Sequence, residues 1–241
     1  MFENIPAEVI GYYICGFLLL ISIIIAVVAQ TKVTSSYNKY KKVASSLNMT
    51  GAELASHLAS HAGVSIKIRS CNGTLSDHYD PRDKSLNISN GNYNSNSIAA
   101  HAIVAHEFGH ALQDSENYFA FKVRQMTIKI SNFVSKLLIP MLILGILFEV
   151  FLFAGVGNII IYVYAGIYFL SFLVSLVTLP VEYNASKRAK KVLAEIGIAE
   201  GNEAAAVDSV LNSAALTYVA SMLVNLAYLL RILSVIRIFK D

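Results

Sequence analysis

From Gly11 to Gln30 the chain runs through twenty residues, GYYICGFLLLISIIIAVVAQ, without one charge. At about 1.5 Å per residue a helix of that length covers the roughly 30 Å of hydrocarbon in a bilayer. Lipid offers no hydrogen bonds, so the segment must satisfy its backbone internally, and helix is the local structure open to it. A cleaved signal peptide is the rival reading. It calls for a positively charged stretch ahead of the apolar run, whereas this chain has Glu3 and Glu8 there and no Lys or Arg. Segment 11–30 is therefore expected to be an uncleaved membrane anchor.

Two more runs, 137–157 and 158–180, are separated only by Gly155-Val156-Gly157-Asn158, which suits a tight turn between two spanning helices. Glu149 falls inside the first, where a carboxyl is costly unless it faces protein or water. A fourth run, 215–236, is weaker because it holds Ser221, Asn225 and Arg231, and it reads as a span, with an interfacial helix as the alternative. The composition agrees: 55% hydrophobic and 15% charged residues with a mean hydropathy of +0.55 do not suit a soluble enzyme. The expected fold class is mainly α, a multi-pass membrane protein carrying a small α+β domain. Polar segments 31–136 and 181–214 lie between the spans.

Orientation follows from the basic residues. Lys32, Lys39, Lys41 and Lys42 follow the first span, Lys122, Arg124, Lys129 and Lys136 precede the second, and Lys187, Arg188, Lys190 and Lys191 follow the third. All share one face if the hairpin forms, and that face is expected to be cytoplasmic, with the protein in the cell membrane and its N-terminus outside. The net charge of +3 is thus concentrated beside the bilayer, and no aromatic-basic interleaving points to nucleic acid. Cys15 and Cys71, one in a span and one in the polar domain, cannot build a disulfide framework within that domain.

Within the polar domain, Ser35 to Leu47 has helical spacing, and Thr50-Gly51-Ala52-Glu53 is a capping box for a helix ending at Gly63. Val64 to Arg69 alternates like a strand. Two short segments around the turn-forming Pro81-Arg82-Asp83 suggest a hairpin or small sheet. From about Ser97 to Ser115 the small apolar residues of AAHAIVAHEFGHALQD favour a buried helix.

That helix carries His106-Glu107-Phe108-Gly109-His110. Residues four apart share a helical face, so His106 and His110 can reach one Zn²⁺ at about 2.0–2.1 Å, with Glu107 beside them as a base for water. His101 lies about 140° around the helix from His106 and should not join them. His57 and His61 repeat the spacing without a carboxylate and read as an exposed face. Asp114 stands one turn after His110, where it would either orient that imidazole or sit as a solvated helix-end carboxylate.

A zinc peptidase needs a third ligand. Glu182, in LPVEYNASKRA, lies where the third span gives way to a polar helix, so the hairpin returns it to the face bearing the two histidines. Glu195, Glu200 and Glu203 stay open on sequence grounds. HEFGHALQ, DHYDPRDKSLNIS and LPVEYNASKRA together resemble the YugP-like family of neutral zinc metallopeptidases of bacterial membranes, over nearly the whole chain. The resemblance implies a zincin-like metallopeptidase domain with His106, His110 and Glu182 as metal ligands and Glu107 as catalytic acid and base. The layout is more distantly similar to HtpX-like and CAAX-processing proteases, which usually carry Asp four residues after the glutamate. This chain has Ser186 there, and Asn184 at a position where YugP-like chains can carry Asp.

The expected activity is hydrolysis of protein or peptide substrates at the membrane surface by a zinc-dependent endopeptidase. His78, Tyr79, Tyr183 and Arg188 are donors of a type that could steady the carbonyl oxygen. A zinc-binding scaffold without activity is the alternative, and an intact Glu107 argues against it. Intramembrane zinc proteases use an aspartate in an LDG-like motif, which this chain lacks.

Overall fold

The computed structural model describes residues 6–151, 156–198 and 201–238, with most side chains from 134 to 158 outside the description. Glu200, the Glu149 side chain and Gly155 of the expected turn therefore lie outside the described residues. Helices α1 (Ala7–Tyr40), α6 (Val156–Glu195) and α7 (Gly201–Ile238) are long and apolar enough to cross a membrane. Helix α5 (Phe119–Phe151) contains the second apolar run. The chain divides into two compact units, one of Met1–Val28, Val123–Leu179 and Tyr218–Asp241, the other of Ala29–Lys122 and Pro180–Thr217.

In the first unit, polar residues on apolar helices find local partners, as lipid requires. Arg231 donates to the Tyr12 hydroxyl at 2.8 Å and lies over its ring. Gly16 makes the room: a Cβ there would stand 2.7 Å from the Arg231 guanidinium. Asn225 reaches the Ser171 carbonyl at 3.4 Å, and Tyr168 stacks on Tyr228. The fourth apolar run is thus continuous helix despite its polar residues.

The second unit is built around α4 (Ile98–Ser115). Ser97 caps it by accepting the Ala100 N–H at 3.2 Å. Ala99, Ala102, Val104, Ala105, Phe108 and Ala111 are all buried, because small side chains let neighbours approach the helix from several sides. Helix α2 (Gly51–Ala62) packs Leu54, Ala55 and Leu58 into this core. It begins with the expected capping box, in which the Thr50 N–H is donated to Glu53 at 2.7 Å, and ends at Gly63 in the left-handed region at φ 66°.

A three-stranded sheet covers another side of the unit. β1 (Lys67–Cys71) runs parallel to β3 (Ser85–Ser89), and β2 (His78–Asp80) pairs antiparallel with β3 from the other edge. The Arg82 guanidinium and backbone N–H grip both oxygens of Asp80 and hold that carboxyl down at about 2, tightening the β2–β3 turn. A short helix, α3 (Asn90–Tyr93), follows β3.

Two expectations change. The helix expected over Ser35–Leu47 is the tail of α1 and stops at Tyr40. Beyond it the chain is drawn into pairing with the start of α4, through the Ala44–Ser97 bridge and the Ile98 N–H to the Val43 carbonyl. The helix expected to begin after the third span is no separate element either, since α6 continues through Pro180 to Glu195.

Candidate metal centre

The side chains of His106, His110 and Glu182 converge, with potential ligand atoms all within 4.8 Å of one another. Helical periodicity puts the two imidazoles on one face of α4, their rings edge to face with centroids 5.0 Å apart. Glu182 arrives on α6, fully buried with 1% of its surface exposed. The two helices meet at Gly109, where an added Cβ would fall 2.5 Å from the Ala185 carbonyl oxygen. Only glycine permits that approach, and it lies between the two histidines of one helix and beside Glu182 of the other.

Glu182 Oε2 is 3.1 Å from His106 Nε2 and 3.5 Å from His110 Nε2. Ligands at about 2.0–2.1 Å from a tetrahedral zinc stand about 3.3 Å apart, so these separations fit one ion. The chemistry of the donors fits as well. Two imidazole nitrogens and a carboxylate oxygen turned toward one another repel unless a cation or protons lie between them.

Each ring is held from behind. His106 Nδ1 meets Ser186 Oγ at 3.1 Å, and His110 Nδ1 meets Gln113 Oε1 at 2.9 Å. Ser186 thus stands behind His106 as a neutral partner. Gln113, wholly buried, was not anticipated from sequence, although it sits three residues after His110 and so on a neighbouring position of the helix. Phe121 stacks on the His110 ring at 5.8 Å between centroids and closes the apolar side.

Glu107 is partly buried and accepts the Tyr79 backbone N–H at 3.1 Å. Burial pushes its carboxyl up from the usual range, and the His106 and His110 imidazoles oppose this. Tyr79 belongs to edge strand β2, so one sheet edge steadies the carboxylate beside the His106, His110 and Glu182 cluster. The Tyr79 hydroxyl donates to Asp114 at 2.9 Å, and burial and that bond raise its pKa. Asp114 is thus neither the partner of His110 nor simply solvated, because the sheet supplies it with a donor.

Of the other acidic candidates, Glu195 and Glu203 are engaged elsewhere. Glu195 lies 3.3 Å from His61 and 3.8 Å from Lys191. Glu203 accepts the Ser46 N–H and the Ser45 hydroxyl. His101 donates from Nε2 to the Met49 carbonyl at 2.8 Å, away from the cluster, and His57 and His61 are exposed. Of the candidate carbonyl-oxygen donors, Arg188 is held by Asn184 and Glu116 and Tyr79 by Asp114, while Tyr183 is exposed.

The family model described as "Putative neutral zinc metallopeptidase" matches residues 15–237. The chain belongs to this family. It is also 42% identical over 205 residues to a protein of Bacillus subtilis (strain 168) described as "Putative membrane protease YugP", covering 84% of this chain and 88% of that one. No solved structure matches. Membership in a zinc peptidase family and a three-donor cluster suited to a metal together identify zinc as the cofactor.

Proposed function

We propose that this protein is a multi-pass, membrane-anchored zinc endopeptidase whose zincin-like domain works at the cytoplasmic surface. The carrying observation is the convergence of His106, His110 and Glu182 within 4.8 Å, with Glu107 next in sequence to the first. In this reading those three hold the metal, and segments 11–30, 137–157, 158–180 and 215–236 span the bilayer. The basic clusters beside the spans support the cytoplasmic orientation.

Zinc, when bound, supplies a Lewis acid that polarises the scissile carbonyl and makes water acidic enough to attack it. Glu107 takes the proton from the attacking water and passes it to the leaving amine, which restores the carboxylate for the next cycle. The backbone bond from Tyr79 keeps one carboxylate oxygen occupied and leaves the other for that transfer. Ser186 and Gln113 aim the two rings, and burial around Phe108, Phe121 and Val181 keeps the electrostatics strong by excluding water. The substrates that suit such an enzyme are membrane or misfolded proteins offering an extended segment at the surface.

The test uses the full chain purified in detergent, with zinc content and hydrolysis of unfolded membrane-protein substrates measured in parallel. Glu107→Gln is expected to keep its zinc and to lose hydrolysis by about a hundredfold or more. Glu182→Gln is expected to lose metal. A wild type that holds zinc and cleaves nothing that Glu107→Gln leaves intact would favour the scaffold. Rapid labelling of Cys71 in intact cells by an impermeant reagent would overturn the orientation.

A further inference from the structure

We propose that Gln113 is a positioning residue that fixes the tautomer of His110 and ties its ring to the turn of α6 carrying Glu182, and that only an amide can do this. The inference rests on the zinc reading above. Gln113 makes three bonds, each at 2.9 Å: Oε1 with His110 Nδ1, and Nε2 with both the Val181 carbonyl and Asn184 Oδ1. A side-chain amide has two N–H donors, and both are used here.

The direction of every bond follows from the ends of the network. Arg188 can only donate, and its Nε–H goes to Asn184 Oδ1 at 2.8 Å, with Glu116 holding the guanidinium at 2.6 Å. Asn184 therefore turns its carbonyl, not its NH₂, toward both Arg188 and Gln113. The Val181 carbonyl can only accept. Both neighbours of Gln113 Nε2 are thus acceptors, so Nε2 is the amide nitrogen and the atom facing His110 is the amide oxygen. A neutral His110 must then carry its proton on Nδ1, which leaves the Nε2 lone pair directed at Glu182 and available to a metal. Arg188, four positions from Asn184 on a helix, thus dictates through two amides which nitrogen of His110 is basic.

The network also joins the two halves of the centre. His110, Gln113 and Glu116 belong to α4 and its C-cap, and Val181, Asn184 and Arg188 to α6. Histidine ligands are commonly backed by carboxylates, which bind imidazole N–H more strongly. At position 113 a carboxylate would instead turn its second oxygen onto two acceptors, losing both donated bonds inside a buried site. At position 184 the polarity is reversed, because both neighbours donate to it, and a carboxylate preserves every bond.

The two sites should therefore respond oppositely to the same chemical change. Zinc affinity is measured by chelator competition on the full chain in detergent, together with the absorption spectrum of the cobalt-loaded protein. Gln113→Glu and Gln113→Met are each expected to weaken zinc binding by about 10- to 100-fold. Asn184→Asp is expected to stay within about threefold of wild type, with an unaltered cobalt spectrum. Met fills a similar volume without burying a charge, so its loss of affinity does not reduce to misfolding, and thermal melts of the metal-free proteins check this. Wild-type affinity in Gln113→Met, or a loss in Asn184→Asp as large as in Gln113→Glu, would overturn the assignment. A wild type that binds no zinc would overturn the metal reading itself, and that result is visible without any variant.

Discussion

Adding a single methyl at Gly109 should distinguish a tightly clasped pair of helices from a loosely juxtaposed one. The new Cβ would lie 2.5 Å from the Ala185 oxygen, 3.1 Å from its carbonyl carbon and 3.2 Å from its Cα. Ordinary contact begins at about 3.4 Å, so α4 and α6 must part locally by up to about 0.9 Å. Backbone cannot swing aside as a long side chain can, and overpacking of this kind costs about 1–3 kcal/mol. Against it stands the intrinsic preference of a helix interior for alanine over glycine, up to about 1 kcal/mol. The net expectation for Gly109→Ala is a destabilisation of up to about 2 kcal/mol, whereas helix propensity alone predicts a gain of up to about 1 kcal/mol. Parting the helices also widens the 3.1 and 3.5 Å separations between Glu182 and the imidazoles beyond the roughly 3.3 Å that a tetrahedral ion spans. Zinc affinity should then fall at least about tenfold. The assay is chemical denaturation of the metal-free protein in detergent, with chelator competition for zinc. Gly166→Ala is the control, since no atom lies within 4 Å of the Cβ it would introduce. A Gly109→Ala variant that is more stable than wild type and binds zinc equally well would refute the close approach.

Other expectations follow from the surroundings of the cluster. Burial lowers the pKa of His101 despite its bond to Met49, so below about pH 6.5 the unfolded chain takes up a proton that the folded chain resists. Wild-type stability should therefore fall with pH through that region by up to about 1.4 kcal/mol per unit more steeply than that of His101→Gln, and parallel curves would sink the idea. Tyr79→Phe removes the hydroxyl bond to Asp114 and should cost about 1 kcal/mol, measured by denaturation. Zinc content should not change with it, because the bond to Glu107 comes from the backbone. Glu195→Gln and Glu203→Gln should retain full zinc while Glu182→Gln loses it, as metal analysis of the three purified variants would reveal.

Much of this architecture is legible in the chain because the signals are local. Charge-free runs mark helices long enough to cross lipid, Thr50 and Glu53 announce a helix start, and the four-residue spacing of His106 and His110 survives directly as a shared face. Glu182 was separable from other acids by its setting at the end of the third apolar run and by the family resemblance, and the structure brings it beside the two imidazoles. What escaped is what depends on partners distant in sequence. Gln113 carries neither charge nor motif, and its contact with Val181 spans 68 positions. Asp114 has the spacing of an imidazole partner, but a tyrosine from β2 takes it. The parallel pairing of β1 with β3 leaves no trace in alternation, which reports the exposure of a strand and not its neighbour. Helical spacing likewise ran on past Tyr40 because periodicity does not register competition from backbone pairing with α4.

The uncharged partners behind the two rings have an electrical consequence. Ser186 and Gln113 add no negative charge, so in the proposed site Glu182 and Glu107 bring the carboxylates nearest a dication. Two nitrogens and one oxygen serve calcium and magnesium poorly, since those ions seek six or more oxygens and retain water. Zinc and cobalt accept nitrogen readily and tolerate low coordination. In the proposed site, discrimination among abundant cations thus comes as much from the carboxylates behind the two rings that are missing as from the donors presented.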